Sequence, residues 1–326
     1  MCTCIQLKTK DSYFGRNLDL EYRFGEKVVI TPRNYCFSLR NKDILKTKYA
    51  MIGMAIVFQN YPLYAEAVNE KGLAMAGLYF PENAKYFESK ERQINLAPFE
   101  LIPYFLGKFE TIAEVKEELK KINITNESFS SDMPLADLHW MISDKETSIV
   151  VEQTIEGLKV YDNPIGVLTN NPPFSYHMMN LNNYLNLSPY NQENQFSRKV
   201  SLNTYGQGMG AIGLPGDNSP SSRFIRCAFY KLNSICADNE EESVVQFFHI
   251  LESVLMVKGS VITKSGKCDI TTYSSCMNQE HGIYYYKTYY NPQICMVKMR
   301  EEEKNKTDLT VYDFMEKPSF QLINDK

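Results

Sequence analysis

The links between apolar runs in this chain are too short to cross over a sheet. Runs 63–68 and 73–80 are separated only by Asn69-Glu70-Lys71-Gly72. Two such runs joined by a glycine-bearing turn read as a β-hairpin, whereas parallel neighbours need a connection of about a dozen residues or more. The same pattern recurs over 138–144, 147–153, 158–162 and 165–168, with turns at Asp144-Lys145-Glu146 and Glu156-Gly157. Further strands are expected over 26–31, 49–58, 270–276, 282–286 and 294–297. A helix is expected over 98–107, with Pro98 at its start, Gly107 at its end and a bend at Pro103. A second follows the capping box Thr111-Ile112-Ala113-Glu114, with Ile112, Val115, Leu119 and Ile122 on one apolar face. Two more are expected over 221–235 and 241–256. Strands, helices, strands, helices, strands is the order of an α+β sandwich: two mostly antiparallel sheets with helices on their outer faces.

The 326 residues, 44% of them hydrophobic, are enough for a large buried core. No Ser/Gly-rich linker or internal repeat divides them, so one domain over 2–326 is expected. The polar stretch 187–210 reads as a surface excursion. The net charge is −4 with both signs mixed, which gives no footprint for nucleic acid. No basic segment followed by an apolar one opens the chain, and no apolar run approaches the ~20 residues of a membrane span. A cytoplasmic protein that does not bind membranes is the expectation. The 8 cysteines are then expected as thiols, because the cytosol is reducing. Neither C-x-x-C pairs nor cysteine–histidine ligand spacings occur, so no metal is expected.

The chemistry concentrates at the beginning, Met1-Cys2-Thr3-Cys4, followed by Phe14-Gly15-Arg16-Asn17-Leu18-Asp19. A small second residue generally allows removal of Met1, which would leave Cys2 with a thiol and a free α-amino group on one Cα. An α-amino group titrates near ~7.7–8.0, so part of it is neutral at cellular pH and can take the thiol proton. By itself a cysteine near a terminus is an ordinary residue of a frayed end. Here, however, 3–7 reads as a strand, Lys10-Asp11-Ser12 as a turn, and the next run would return Arg16 and Asp19 to the side of Cys2. An arginine favours the thiolate and an aspartate can hold an ammonium. The alternative for Arg16 and Asp19 is an ordinary surface ion pair. Cys2 and Cys4 alternate along a strand and should face the same way, with Cys4 a packing residue.

These stretches resemble the choloylglycine hydrolases, a family of bile salt hydrolases and penicillin V acylases, from Cys2 to about Tyr312. The resemblance implies the N-terminal nucleophile hydrolase fold, a four-layer αββα sandwich. It implies that Cys2, exposed by loss of Met1, is the nucleophile, with Arg16 and Asp19 as its charged neighbours. Asn170, in Leu168-Thr169-Asn170, and the backbone N–H of Tyr79 would face the developing oxyanion. Arg223, in Ser221-Ser222-Arg223-Phe224, would complete the site. Read singly, Asn170 is equally a turn residue before Asn171-Pro172, Tyr79 a core aromatic and Arg223 a surface residue. The resemblance further implies a reaction without cofactor and a homotetramer assembled through 187–210. No histidine falls in a matched position, and His139 beside Trp140 reads as a structural residue.

For the acyl pocket, the matched positions are Leu20, Tyr22, Phe24, Phe58, Ala65, Phe129, Met133 and Leu135, apolar or aromatic as a steroid or aryl group requires. Leu18 and Tyr64, also apolar and nearby, are expected in the core. Bile salt hydrolases resemble one another in an asparagine at the position of Tyr79, whereas penicillin V acylases carry tyrosine. Stretches such as Asn163-Pro164-Ile165-Gly166-Val167 and Gly213-Leu214-Pro215-Gly216-Asp217 look closer to the bile salt hydrolases of Gram-positive gut bacteria. The expected substrate is therefore a glycine- or taurine-conjugated bile salt, cleaved at its amide through a thioester. The alternatives are the side-chain amide of penicillin V and, from another class, an inactive sterol- or acyl-binding protein that keeps the fold.

Overall fold

Alternation along each strand settles the architecture. In the computed structural model, which describes residues 1–324, eighteen strands form two large sheets and two small ones. The strands are β1 (Cys2–Lys8), β2 (Ser12–Leu20), β3 (Lys27–Thr31), β4 (Cys36–Ser38), β5 (Ile44–Lys46), β6 (Met51–Phe58), β7 (Tyr61–Asn69), β8 (Ala74–Tyr79) and β9 (Ile94–Leu96). They continue with β10 (Ile122–Ile124), β11 (Leu138–Ser143), β12 (Ser148–Thr154), β13 (Gly157–Asp162), β14 (Val167–Leu168), β15 (Ile270–Asn278), β16 (Ile283–Thr288), β17 (Cys295–Lys298) and β18 (Thr310–Asp313). One large sheet runs β14-β1-β2-β15-β16-β17 and the other β13-β12-β11-β8-β7-β6-β3-β18. Every pairing within both is antiparallel.

In the eight-stranded sheet, Val28, Ile30, Ile52, Met141 and Val150 face the core shared with the six-stranded sheet. Their neighbours Val29, Met51, Trp140, Ile142 and Val151 face a second core on the opposite side. That second core is closed by α1 (Leu101–Lys108) and α2 (Ile112–Leu119). The six-stranded sheet is covered on its outer side by α4 (Pro220–Asn233) and α5 (Glu240–Glu252), which touch β14, β1, β2 and β15. The layers are helix, sheet, sheet, helix, as expected. The remaining helices are α3 (Phe174–Asn180) and α6 (Glu301–Lys304).

The Thr111 capping box forms: Thr111 accepts from the Glu114 N–H while Glu114 reaches back to the Thr111 N–H. The helix expected over 98–107 begins instead as a 3₁₀ turn, Pro98–Glu100, and becomes α-helical only from Leu101. The strand expected over 165–168 shortens to Val167–Leu168, because Asn163 and Gly166 close a turn in front of it.

The β1–β2 hairpin pairs Cys4 with Arg16 and Cys2 with Leu18. Gly15 lets β2 lie tightly against β15, since a Cβ there would meet the Ser275 carbonyl oxygen at 2.1 Å. One face of β1 and β2 turns toward the inter-sheet seam, where Arg16 reaches Gly77 O on β8. The other turns toward the helices, where Asn17 donates to Leu251 O on α5 and Thr3 meets Arg223 on α4.

Candidate active site

Strand register places Asn170 beside Cys2. β14 pairs antiparallel with β1 at Cys4↔Leu168, so two residues further along the chain Asn170 comes level with Cys2. Asn170 Oδ1 accepts the Cys2 backbone N–H at 2.9 Å and Arg223 Nη2 at 2.7 Å. With the oxygen held by two donors, the amide is oriented, and its Nδ2 donates to Tyr79 O at 2.7 Å. An amide nitrogen carries two hydrogens, so this contact occupies only one of them. Arg223 is fully buried and also donates to Cys2 O at 2.5 Å, Thr3 Oγ1 at 2.7 Å and Asn218 O at 3.1 Å. Burial pulls its guanidinium below the usual arginine value, while the neighbouring Asp19 carboxylate and Cys2 thiol oppose the shift.

The loop carrying Asn170 is clamped by two histidines. His177 on α3 donates Nε2–H to Asn170 O at 2.9 Å and stacks on Phe224 at 4.8 Å. Burial pushes it down to about 4, so it is neutral at cellular pH. His139 donates to Thr169 O at 3.0 Å, contacts Glu152 at 3.1 Å and stacks on Phe80 at 4.2 Å. His139 thus has the satisfied structural role expected of it. His177 was given no role by the sequence, and a histidine in Pro173-Phe174-Ser175-Tyr176-His177 carries no local signal that it supports an asparagine seven residues earlier.

Met1 precedes Cys2 in the structure and extends the hairpin. Its ammonium donates to Asp19 O at 2.6 Å, and its carbonyl accepts the Asp19 N–H at 2.8 Å. The ammonium also lies 3.4 Å from Asp269 Oδ2. The Asp19 carboxylate itself accepts Thr271 Oγ1 at 2.6 Å. Burial raises the Asp19 carboxyl, opposed by the terminal ammonium and Arg223. Asp269, just before β15, is a buried acid that sequence reasoning did not single out.

Arg16 is wholly buried and reaches across the seam to Gly77 O at 2.5 Å and to Glu66 Oε2 at 3.9 Å. Cys4 is buried and its thiol is pushed well above the usual value by burial, as a packing cysteine requires. Cys2, Arg16, Asp19, Tyr79, Asn170 and Arg223 therefore belong to one connected region around the end of β1. The Tyr79 ring is half exposed and only its backbone joins the knot.

The acyl-pocket candidates do not all share one surface. Leu20, Phe24 and Ala65 pack against the core that contains Cys2. Leu135 packs against the outer core beneath α1 and α2. Phe129 meets Phe58 edge-on at 5.8 Å and lies 5.3 Å from Tyr61 and 5.1 Å from Phe99. Met133 closes a small turn by donating its N–H to Ser130 O at 3.2 Å, and the Tyr22 ring is exposed. Leu18 and Tyr64 are buried, as expected of core residues.

The family model described as linear amide C–N hydrolases, choloylglycine hydrolase family, matches residues 2–312. A bile salt hydrolase/transferase of Lactiplantibacillus plantarum is 48% identical over 99% of this chain and all of the relative. One from Clostridium perfringens is 46% identical, again over 99% of this chain and 100% of the relative. Crystal structures of two variants of the conjugated bile acid hydrolase from Clostridium perfringens superpose with a TM-score of 0.91, at 43% and 44% identity, covering 99% of this chain and 100% of theirs. A penicillin V acylase from Agrobacterium tumefaciens shares the fold, with a TM-score of 0.74 at 20% identity over 96% of this chain and 91% of its own. This chain belongs to the choloylglycine hydrolase family of linear amide C–N hydrolases.

Proposed function

We propose that the chain is a bile salt hydrolase that cleaves the amide of glycine- or taurine-conjugated bile acids, with Cys2 as nucleophile once Met1 is removed. The observation that carries this reading is the knot in which Asn170 and Arg223 converge on the backbone of Cys2. The two bile salt hydrolase/transferases, 48% and 46% identical over nearly the whole chain, supply the substrate class.

The steps follow from the groups present. The free amine of Cys2 takes the thiol proton, and the thiolate adds to the amide carbonyl. The second hydrogen of Asn170 Nδ2 and the Tyr79 N–H receive the oxyanion; losing one such donor costs about 2.7–4 kcal/mol in related acyl transfer. The α-ammonium protonates the leaving nitrogen, the C–N bond breaks and a thioester remains. Water, deprotonated by the same amine, then releases the bile acid and restores the thiol. Arg16 and Arg223 supply the positive surroundings that favour the thiolate. Leu20, Phe24 and Ala65, packed on the core that contains Cys2, would contact the steroid.

The same reading includes a cytoplasmic homotetramer. Tyr190, Phe196 and Tyr205 lie in the 187–210 excursion with more than three-quarters of their surface exposed. Large apolar side chains exposed within one short segment fit a subunit interface. Light scattering on the wild type and a Phe196→Ser/Tyr205→Ser variant tests it: a fall in mass supports the assignment, and an unchanged mass removes it.

The primary test is amine release from glycocholate, taurocholate and penicillin V by the wild type and Cys2→Ser. Preferential release from the bile salts that disappears in Cys2→Ser is expected. Preference for penicillin V would favour the acylase reading on which Tyr79 bears, and no turnover of any substrate would favour a binding protein.

A further inference from the structure

Glu66 is a buried acid that the mechanism above does not use. It lies on β7, inside the seam, with no exposed surface. Tyr273 on β15 donates to Glu66 Oε2 at 2.7 Å, and Tyr284 on β16 donates to Oε1 at 2.6 Å. Both tyrosines belong to the opposite sheet and are themselves buried. The Arg16 guanidinium lies 3.9 Å away. The net effect of burial is to raise the Glu66 carboxyl, opposed by the Arg16 charge and the hydroxyls of Tyr284, Tyr273 and Ser275. Both oxygens thus face hydroxyl donors, with a cation beside them.

Arg16 meets this acid inside the seam. It stands directly across from Cys4 and on the diagonal from Cys2, a separation that a long side chain spans. Nη1 donates to Gly77 O at 2.5 Å and reaches Ala65 O at 3.5 Å, Nε donates to Asn17 O at 3.4 Å, and Nη2 has no hydrogen-bond partner among the described residues. Apart from the Gly77 bond these contacts are long, which leaves the guanidinium loosely oriented. The Glu66 carboxyl, 3.9 Å from Nη1, adds an electrostatic attraction on the same side.

We propose that Glu66 is a positioning residue for the reaction at Cys2: anchored by Tyr273 and Tyr284, its carboxylate fixes Arg16 across the seam so that the guanidinium stays on the Cys2 side and stabilises the thiolate. The proposal rests on Cys2 being the nucleophile. It gives the two tyrosines a part in the chemistry although neither touches substrate. The charged and titratable groups facing this cluster are Arg16 on β2, Cys2 and Cys4 on β1, Tyr273, Tyr284 and, from α4, Arg223 toward Cys2.

The test reads the Cys2 thiol without any substrate, as the pH dependence of its alkylation by iodoacetamide in the folded protein, with Cys2→Ser as the blank. In Glu66→Gln the midpoint is expected to rise by about one pH unit, since a nearby opposite charge is worth about 1–3, and kcat/KM should fall about tenfold. Tyr284→Phe, which keeps the charge but loosens the anchor, should move the midpoint in the same direction by less, and it serves if Glu66→Gln does not fold. If Glu66 were only a counter-charge to Arg16, removing it would lower the midpoint. A lowered or unmoved midpoint in either folded variant overturns the proposal. Turnover that survives in Cys2→Ser would overturn the nucleophile assignment instead, a separate result.

Discussion

The side-chain oxygen of Asn170 lies 2.9 Å from the backbone nitrogen of Cys2. Because Arg223 donates to the same oxygen at 2.7 Å, the amide cannot flip without losing two hydrogen bonds. Asn170→Ala removes the orienting acceptor and the proposed oxyanion donor together. A drop of about 10²–10³ in kcat is expected, measured by amine release from glycocholate, with the fold retained by circular dichroism.

Arg223→Lys keeps a charge but not the fork. Arg223 bonds Cys2 O, Thr3 Oγ1, Asn170 Oδ1 and Asn218 O from three separate nitrogens, and a single ammonium cannot reach all four. Each lost bond to a charged group is worth about 1.5–3 kcal/mol. Steady-state kinetics on the lysine variant should therefore give kcat/KM lower by on the order of 10², mostly through kcat.

Stability should depend on pH through His177. Its folded value of about 4 lies below the ordinary 6.5, so between them the unfolded chain binds the extra proton. The sign follows: the contribution is fully present above pH ~6.5 and is lost as pH falls toward about 4. The full difference corresponds to about 3 kcal/mol as an upper bound. Urea unfolding at pH 7 and pH 5 should give a smaller loss for His177→Gln than for the wild type.

Tyr79→Asn should change the ratio of bile salt to penicillin V turnover in favour of bile salts without abolishing either. The proposed role of residue 79 is played by its backbone, and the ring is 49% exposed. The unfolding free energy is expected to stay within about 0.5 kcal/mol of the wild type, as for surface substitutions generally. An unchanged substrate ratio would remove Tyr79 as a specificity residue.

The parts of the site legible in the sequence were those built by local grammar. Lys10-Asp11-Ser12 announces the hairpin, and the hairpin alone carries Arg16 and Asp19 back to Cys2. Thr111 and Glu114 announce α2 in the same way. Glu66 stayed hidden because one glutamate in Tyr64-Ala65-Glu66-Ala67-Val68 reads as the polar side of a strand; only the second sheet turns that side into an interior. Tyr273 and Tyr284 read as packing aromatics, since nothing nearby in sequence shows what their hydroxyls meet. α3 was missed because Pro172-Pro173 leads straight into it. β18 was missed because four residues of a polar tail carry too little pattern, and it exists by pairing with β3.

The strand that begins with Cys2 lies between β14 and β2, not at the rim of its sheet. Chain ends usually loosen well before the rest of a protein, but this one is hydrogen-bonded on both sides. Amide hydrogens from Thr3 to Ile5 should therefore exchange about as slowly as those of the central strands, and loss of activity on warming should coincide with global melting instead of preceding it.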